Sequence, residues 1–457
     1  MITAPYADSM ESSPPRSGAV NESDMELRAN NRDLDEMRAT EPEFSLPPVD
    51  GGMAAWLFLF SAFVLEILVW GRSFRFCFPF AFGIFQEYYT SNPPFAGSRN
   101  IPIVGTCAMG LMYLLSPLIS GFFAWYPNTR RRCIIIGLII MCLSLGLSSL
   151  SQTVPHLIAS QGVFYAIGGA LCYVPVVAFM EQWFVKRKGL AFGIMWAGTG
   201  IGGIIIPLLL QYLLGRYGFR TTLRIWAAVL FAATIPLTLY LKPRLPISQA
   251  TKHRKFNLRF LRNKSFLLFQ LGNVLEGFGY FVPSIYLPTY ARTLGASSPV
   301  AALTLIMINV ASFFGCIVMG GIVDRWHITT CIFLSTIGST LSVFLLWGFS
   351  TNLPLLLVFC AVYGLFAGSY STVYPGIMKL LEGNEQGTDS MMVFSVLAAG
   401  RGIGNVACGP MSEALFRMGD VGGSGLYASE YGPLVLLTGI SAALGGVSCF
   451  GRVVGWF

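Results

Sequence analysis

Three ionisable residues stand deep inside long apolar stretches of this sequence: Glu66, Glu276 and Arg401. A charged side chain at such a depth costs about 2.5–3.5 kcal/mol on insertion scales and usually faces a cavity or a partner. A carboxylate placed there can take up and release a proton as its surroundings change, which a proton-coupled step requires. An arginine stays charged, so Arg401 can bind an anionic group or pair with one of the glutamates. The competing reading is a fixed internal ion pair that only locks helix packing. Gln270, Asn273 and Asn405 lie in the same stretches and Asn309 in a further one, and an interhelical hydrogen bond explains each as well as a binding role does. Tyr280, Tyr286, Tyr363 and Tyr374 are candidates to line a path for a planar substrate.

The elements that must position these residues follow from composition. Of the 457 residues, 54% are hydrophobic and 11% charged, whereas a soluble domain carries about 25% charged residues; the mean hydropathy is +0.63. Lipid must be the solvent for most of the chain. A bilayer core needs about 20 apolar residues per helix. Twelve such runs can be read, at approximately 53–89, 101–126, 132–150, 155–182, 188–214, 222–242, 265–291, 297–323, 327–349, 353–381, 388–417 and 431–453. They do not alternate as the strands of a transmembrane barrel would. The expected fold is an all-α membrane protein of twelve transmembrane helices.

The first 52 residues differ, with eleven acidic side chains against four arginines. They cannot bury enough apolar area to offset their ordering entropy, so residues 1–52 read as a disordered tail. They also lack the apolar core and cleavage site of a secretory signal. Most of the ten cysteines lie inside apolar runs and the three histidines are far apart, so neither a metal site nor a cofactor is expected. No nucleotide-binding loop or nucleophile elbow is present, which speaks against an ATP-driven pump and an enzyme.

With both termini in the cytoplasm, inner loops hold 17 Lys and Arg and outer loops six, as the positive-inside rule asks. The net charge of +8 is then an orientation signal divided among loops, not a nucleic-acid surface. A basic linker, residues 243–264, separates residues 53–242 from 265–457. Ala197-Gly198-Thr199-Gly200-Ile201-Gly202 and Ala399-Gly400-Arg401-Gly402-Ile403-Gly404 sit 202 residues apart, as duplication of a six-helix unit would give. Two pseudo-symmetric six-helix bundles are expected. Gly198-x-Gly200-x-x-Gly203 formally fits a dinucleotide fingerprint, but it lies mid-span, where small residues serve close helix packing.

Three motifs carry a family resemblance. They are Asp50-Gly51-Gly52-Met53-Ala54-Ala55-Trp56, the stretch Trp183 to Gly193, and Gly320-Gly321-Ile322-Val323-Asp324-Arg325. Residues 49–457 resemble the monocarboxylate-transporter branch of the major facilitator superfamily, particularly its fungal members. The resemblance implies that Asp324 and Arg325 gate alternating access by making and breaking contacts at a cytoplasmic helix end; a topogenic pair is the alternative. The counterpart loop, Gly121 to Arg132, has Trp125 where the Asp would stand. In the animal lactate carriers of this branch, a Lys in span one and an Asp and Arg in span eight bind proton and carboxylate. Those positions align with Phe80, Ser312 and Cys316 here, which disfavours a lactate-type carrier.

Span one is anomalous. Its 37 residues would reach roughly 55 Å as one helix, beyond a single bilayer core. In the fungal pattern Trp-Gly runs directly into Phe-Pro-Phe, so residues 72–77 look like an insertion that adds Arg72 and Arg75. Either these arginines form a replacement anion site, or the insertion marks a misplaced exon boundary or a disabling variant.

The function expected is a secondary active transporter, proton-coupled, that moves a small organic solute or secondary metabolite across the plasma membrane. Its candidate site residues are Glu66, Glu276, Arg401, Asn309, Asn405 and Gln270. Its expected partners are the small-molecule substrate, protons and the lipid bilayer. A non-transporting nutrient receptor and a simple monocarboxylate uptake carrier are the alternatives.

Overall fold

Long runs of Leu, Ile, Val, Phe and Ala leave a chain in lipid few ways to satisfy its backbone, and a helix does so within one segment. The computed structural model describes residues 46–70, 82–98, 100–245, 258–384, 387–418 and 430–453, and among them it is built of helices with no strand. Residues 71–81, which include Arg72, Arg75 and Phe80, lie outside the described residues, as does nearly all of the 1–52 tail.

The helices are α1 (Gly52–Trp70), α2 (Phe82–Ser91), α3 (Pro102–Leu114), α4 (Ser116–Trp125), α5 (Arg130–Ser148) and α6 (Val154–Trp183). There follow α7 (Lys188–Leu237), α8 (Lys264–Tyr280), α9 (Val282–Thr293), α10 (Ser298–Val323) and α11 (Ile328–Trp347). The last are α12 (Leu353–Ala367), α13 (Tyr374–Asn384), α14 (Ser390–Arg417), α15 (Gly432–Gly445) and α16 (Ser448–Val453).

Ten stretches among the described residues are long and apolar enough to cross a membrane, where the sequence reads twelve runs. Two local features account for the difference. Runs 188–214 and 222–242 share the helix α7, which is broken at Gly218 by φ 72° and ψ 171°; only glycine takes up such a backbone without strain. Run 265–291 divides into α8 and α9 of 17 and 12 residues. Pro283, at the start of α9, has no N–H to continue the ladder.

Helix starts follow local chemistry. Asn263 caps α8 by accepting from the Ser265 amide at 2.9 Å, Asn352 caps α12 through Leu355 at 3.0 Å, and Asp389 caps α14 through Met391 at 3.0 Å. The helix α7 is among those without such a cap, because its N-cap residue, Arg187, makes no capping bond. Outward-facing side chains such as Leu118, Leu143, Leu208 and Phe450 are large, apolar and exposed, as a lipid-facing surface requires.

Glycines set the closest helix crossings. The helix α7 packs on α1 and α10, α8 on α14 and α15, and α14 on α3. A β-carbon at Gly189 would stand 2.6 Å from the Gly320 carbonyl, and one at Gly193 would fall on the Cys316 carbonyl. The repeated glycine pattern divides its contacts in parallel. Gly198 meets α1 at the Phe63 carbonyl and Gly400 meets α8 at Gln270, whereas Gly200 meets α10 at the Asn309 carbonyl and Gly402 meets α3 at Tyr113. Replacing Gly193 by Leu is therefore expected to cost about 1–3 kcal/mol or more by overpacking. Gly146→Ala, where nothing lies within 4 Å of the new β-carbon, should leave stability unchanged or slightly raised. Thermal unfolding of the detergent-purified chain checks both, and equal losses would remove the crossing from the explanation.

Candidate functional site

The deep charges converge on the interior. Glu276 on α8 and Arg401 on α14 form an ion pair, Nη1 to Oε2 at 2.5 Å, with side chains only 6% and 5% exposed. The guanidinium also lies over the Tyr280 ring, 4.4 Å from its centroid, and 5.6 Å from that of Tyr370. Tyr280 is one helical turn after Glu276, so one face of α8 supplies both anion and ring. Tyr370 is held by donating to the Gly445 carbonyl at 3.0 Å. Burying one partner without the other would be costly; here the charges satisfy each other.

Glu66 is different. It sits on α1 at 3% exposure, with its β-carbon against Gly198 of α7. No cation pairs with it among the described residues. Glu66 and Arg401 both line a cavity of about 60 Å³ whose other walls include Trp70, Tyr113, Tyr173, Trp196, Tyr374 and Phe394. That volume holds a few waters and falls well below the roughly 300–1,000 Å³ of sites that enclose an organic ligand. The site is thus contracted here. Its walls interlock: the Trp196 indole donates to the Tyr173 hydroxyl at 2.9 Å and stacks on Phe394 with an interplanar angle of 13°.

The other sequence candidates divide. Gln270 and Asn273 donate to the Val396 and Leu397 carbonyls at 2.9 and 2.7 Å, and Tyr374 donates to Asn273 at 2.6 Å; the two amides tie α8 to α14. Asn309 is buried on α10. Asn405 is buried one turn beyond Arg401, and neither of its amide atoms has a hydrogen-bond partner among the described residues. Tyr280 and Tyr374 line the cavity. Tyr363 instead donates to the Tyr280 carbonyl, and Tyr286 packs on Phe416. Ser312 donates to the Gly364 carbonyl and Cys316 to that of Gly368, so both donors are turned to α12 and the turn after it.

Two aspartates grip the segment between α6 and α7. Asp50 accepts from the amides of Val185, Lys186 and Arg187 at 2.9, 3.0 and 2.9 Å. Burial works against its charge, but the three amides outweigh it and hold the carboxyl below the usual range. A depressed carboxylate stabilises above its unfolded value and loses that effect as pH falls through the folded one, so this grip is complete at neutral pH. Asp324, just past α10, accepts from Gly189 at 2.6 Å and Leu190 at 2.8 Å. These are the amides that an N-cap side chain would bind, so Asp324 supplies from another helix the cap that Arg187 cannot. Arg325 is exposed and makes no ion pair among the described residues. Trp125, at the counterpart position, is 65% exposed.

Sequence reasoning did not single out the cavity walls Trp70, Tyr113, Tyr173, Trp196 and Phe394, nor Thr199. Only Thr199 left a signal, because it occupies the place of Arg401 in the repeated glycine pattern.

Comparison with known proteins adds independent findings. The family model of the Major Facilitator Superfamily matches residues 73–405. The chain is 27% identical to the MFS transporter asaE of Aspergillus flavus, over 89% of this chain and 90% of that protein. It is 29% identical to the fujikurins efflux protein of Gibberella fujikuroi, over 71% and 68%. It is also 26% identical to monocarboxylate transporter 12 of Xenopus laevis, over 75% and 78%. Among solved structures, the transporter FucP matches with a TM-score of 0.65 at 14% identity, covering 88% of this chain and 98% of that one.

Proposed function

The chain belongs to the major facilitator superfamily of multi-pass membrane transporters, which are not enzymes, and we propose that it is a proton-coupled secondary transporter exporting an organic metabolite. The observation that carries this reading is Glu66, a buried carboxylate with no cation among the described residues, lining an interior cavity. A group so placed can exchange a proton when the cavity changes sides. Twelve spans in two six-helix halves, residues 53–242 and 265–457, are part of the reading. The matched packing of Gly198 with Gly400, and of Gly200 with Gly402, supports the duplication. The loop charges support cytoplasmic termini, and a plasma-membrane location goes with export. Efflux is favoured by the name of the Gibberella fujikuroi relative. The orientation of Ser312 and Cys316 toward backbone carbonyls speaks against simple monocarboxylate uptake.

Asp324 serves in this proposal as the gate on α7. Asp324→Ala is expected to weaken the closed arrangement by about 0.5–2 kcal/mol, the usual cost of losing a cap. Alkylation of Cys316, a cavity residue, should then run several-fold faster in membrane vesicles, with Cys316→Ser as the background control. An unchanged rate would remove the gating role.

The transporter reading is tested by flux in proteoliposomes under an imposed pH gradient, against a panel of amines, neutral aromatics and organic acids. Gradient-dependent movement of at least one solute is expected. No such movement by folded protein for any member would overturn it.

A further inference from the structure

The walls of the cavity are unequal in charge. Arg401, its cationic lining residue, is neutralised by Glu276 at 2.5 Å and covered by the faces of Tyr280 and Tyr370. Glu66 has no such partner among the described residues. The repeat pattern explains the asymmetry. Where the second half carries Arg401, the first carries Thr199, and its hydroxyl turns back to the Trp196 carbonyl at 2.7 Å. Among the described residues the cavity therefore offers an entering molecule one acid without a cation of its own and several aromatic faces. An entering carboxylate would meet Glu66 as a like charge whenever that acid is ionised, and would gain no cation from it in either state. At Arg401 it would meet a cation whose charge Glu276 already neutralises, so it would compete with that acid for the guanidinium. A protonated nitrogen gains from Glu66 as an ion pair and from the ring faces through cation–π attraction.

Resting on the transporter reading of this site, we infer that the cavity selects a planar aromatic molecule bearing a protonated nitrogen, which Glu66 holds, and discriminates against aromatic carboxylates. The cavity widens to admit it, since its present volume is too small for such a body. Trp196 and Phe394, already nearly parallel, supply the faces for the ring.

The test uses three probes that share one ring system: 1-naphthylmethylamine, 1-naphthylmethanol and 1-naphthoate. Their binding to the detergent-purified full chain is measured by equilibrium dialysis against protein-free micelles. The amine should bind at least tenfold tighter than the naphthoate, with the alcohol between them. Glu66→Gln should bring the amine to the affinity of the alcohol without weakening the naphthoate. Naphthoate binding as tight as the amine, no binding of the amine, or an amine affinity that a folded Glu66→Gln protein retains would each overturn the assignment. The wild-type charge series stands without the variant, should the variant fail to fold. Binding in detergent needs no gradient, so selective amine binding without flux in vesicles would remove the transporter reading and keep the ligand class. Gradient-driven flux with naphthoate bound preferentially would do the reverse.

Discussion

Replacing Arg401 by Met, with Glu276 left in place, is expected to destabilise the protein by about 3–5 kcal/mol, as removing one partner of a buried pair does. The acid would then sit in the core at 6% exposure with its cation gone. The cost comes from the orphaned charge rather than from the pair itself, so the double variant Arg401→Met, Glu276→Leu should recover most of the loss. Thermal unfolding in detergent, read by the monodisperse fraction that survives heating, distinguishes these outcomes. If the double variant is as unstable as the single one, packing of the guanidinium between Tyr280 and Tyr370 is the larger contribution.

The second large effect is on coupling. Glu66→Gln keeps shape and hydrogen-bonding capacity but abolishes titration, so uphill, gradient-driven flux should fall at least tenfold. Exchange of labelled for unlabelled substrate at saturating concentration should persist, because it needs no net proton movement. Glu276→Gln provides the contrast: its main effect should be on stability, since Glu276 is committed to Arg401. If Glu276→Gln uncouples transport and Glu66→Gln does not, the proton site is the paired acid and the proposal for Glu66 fails.

Both acids and Arg401 were visible in the sequence because charge within an apolar run is rare enough to stand out. Their pairing was not visible. Glu66 and Glu276 are equally isolated in sequence, and only the rotation of α8 against α14 decides which one meets the arginine. The cavity walls were invisible for the opposite reason. With 36 Phe, 18 Tyr and 9 Trp in the chain, an aromatic residue in a span carries almost no information about where it faces. Gln270 and Asn273 could be read in the sequence either as binding groups or as interhelical links; in the fold both donate to α14 carbonyls. The three motifs behind the family resemblance were read as separate signatures; in the fold Asp50, the 185–190 segment and Asp324 form a single junction. Among the described residues the helical character of the apolar runs was legible. Helix ends were less so: the break at Gly218 falls between runs 188–214 and 222–242, but the one that separates α8 from α9 falls inside the single run 265–291.

The glycine crossings have a mechanical consequence. Where α7 crosses α10, glycines at 189, 193 and 200 press against backbone carbonyls, and backbone cannot yield. Where α14 crosses α3, Gly402 meets the β-carbon of Tyr113, which is fixed, while Gly110 meets a γ-methyl of Val406, which can rotate away, and neither glycine presses on a backbone carbonyl there. One seam is a hinge pin and the other a door edge. In the proposed two-half arrangement the halves would swing about the α7–α10 line, with most of the travel on the α3–α14 side. Spectroscopic labels intended to follow the cycle therefore belong across α3 and α14.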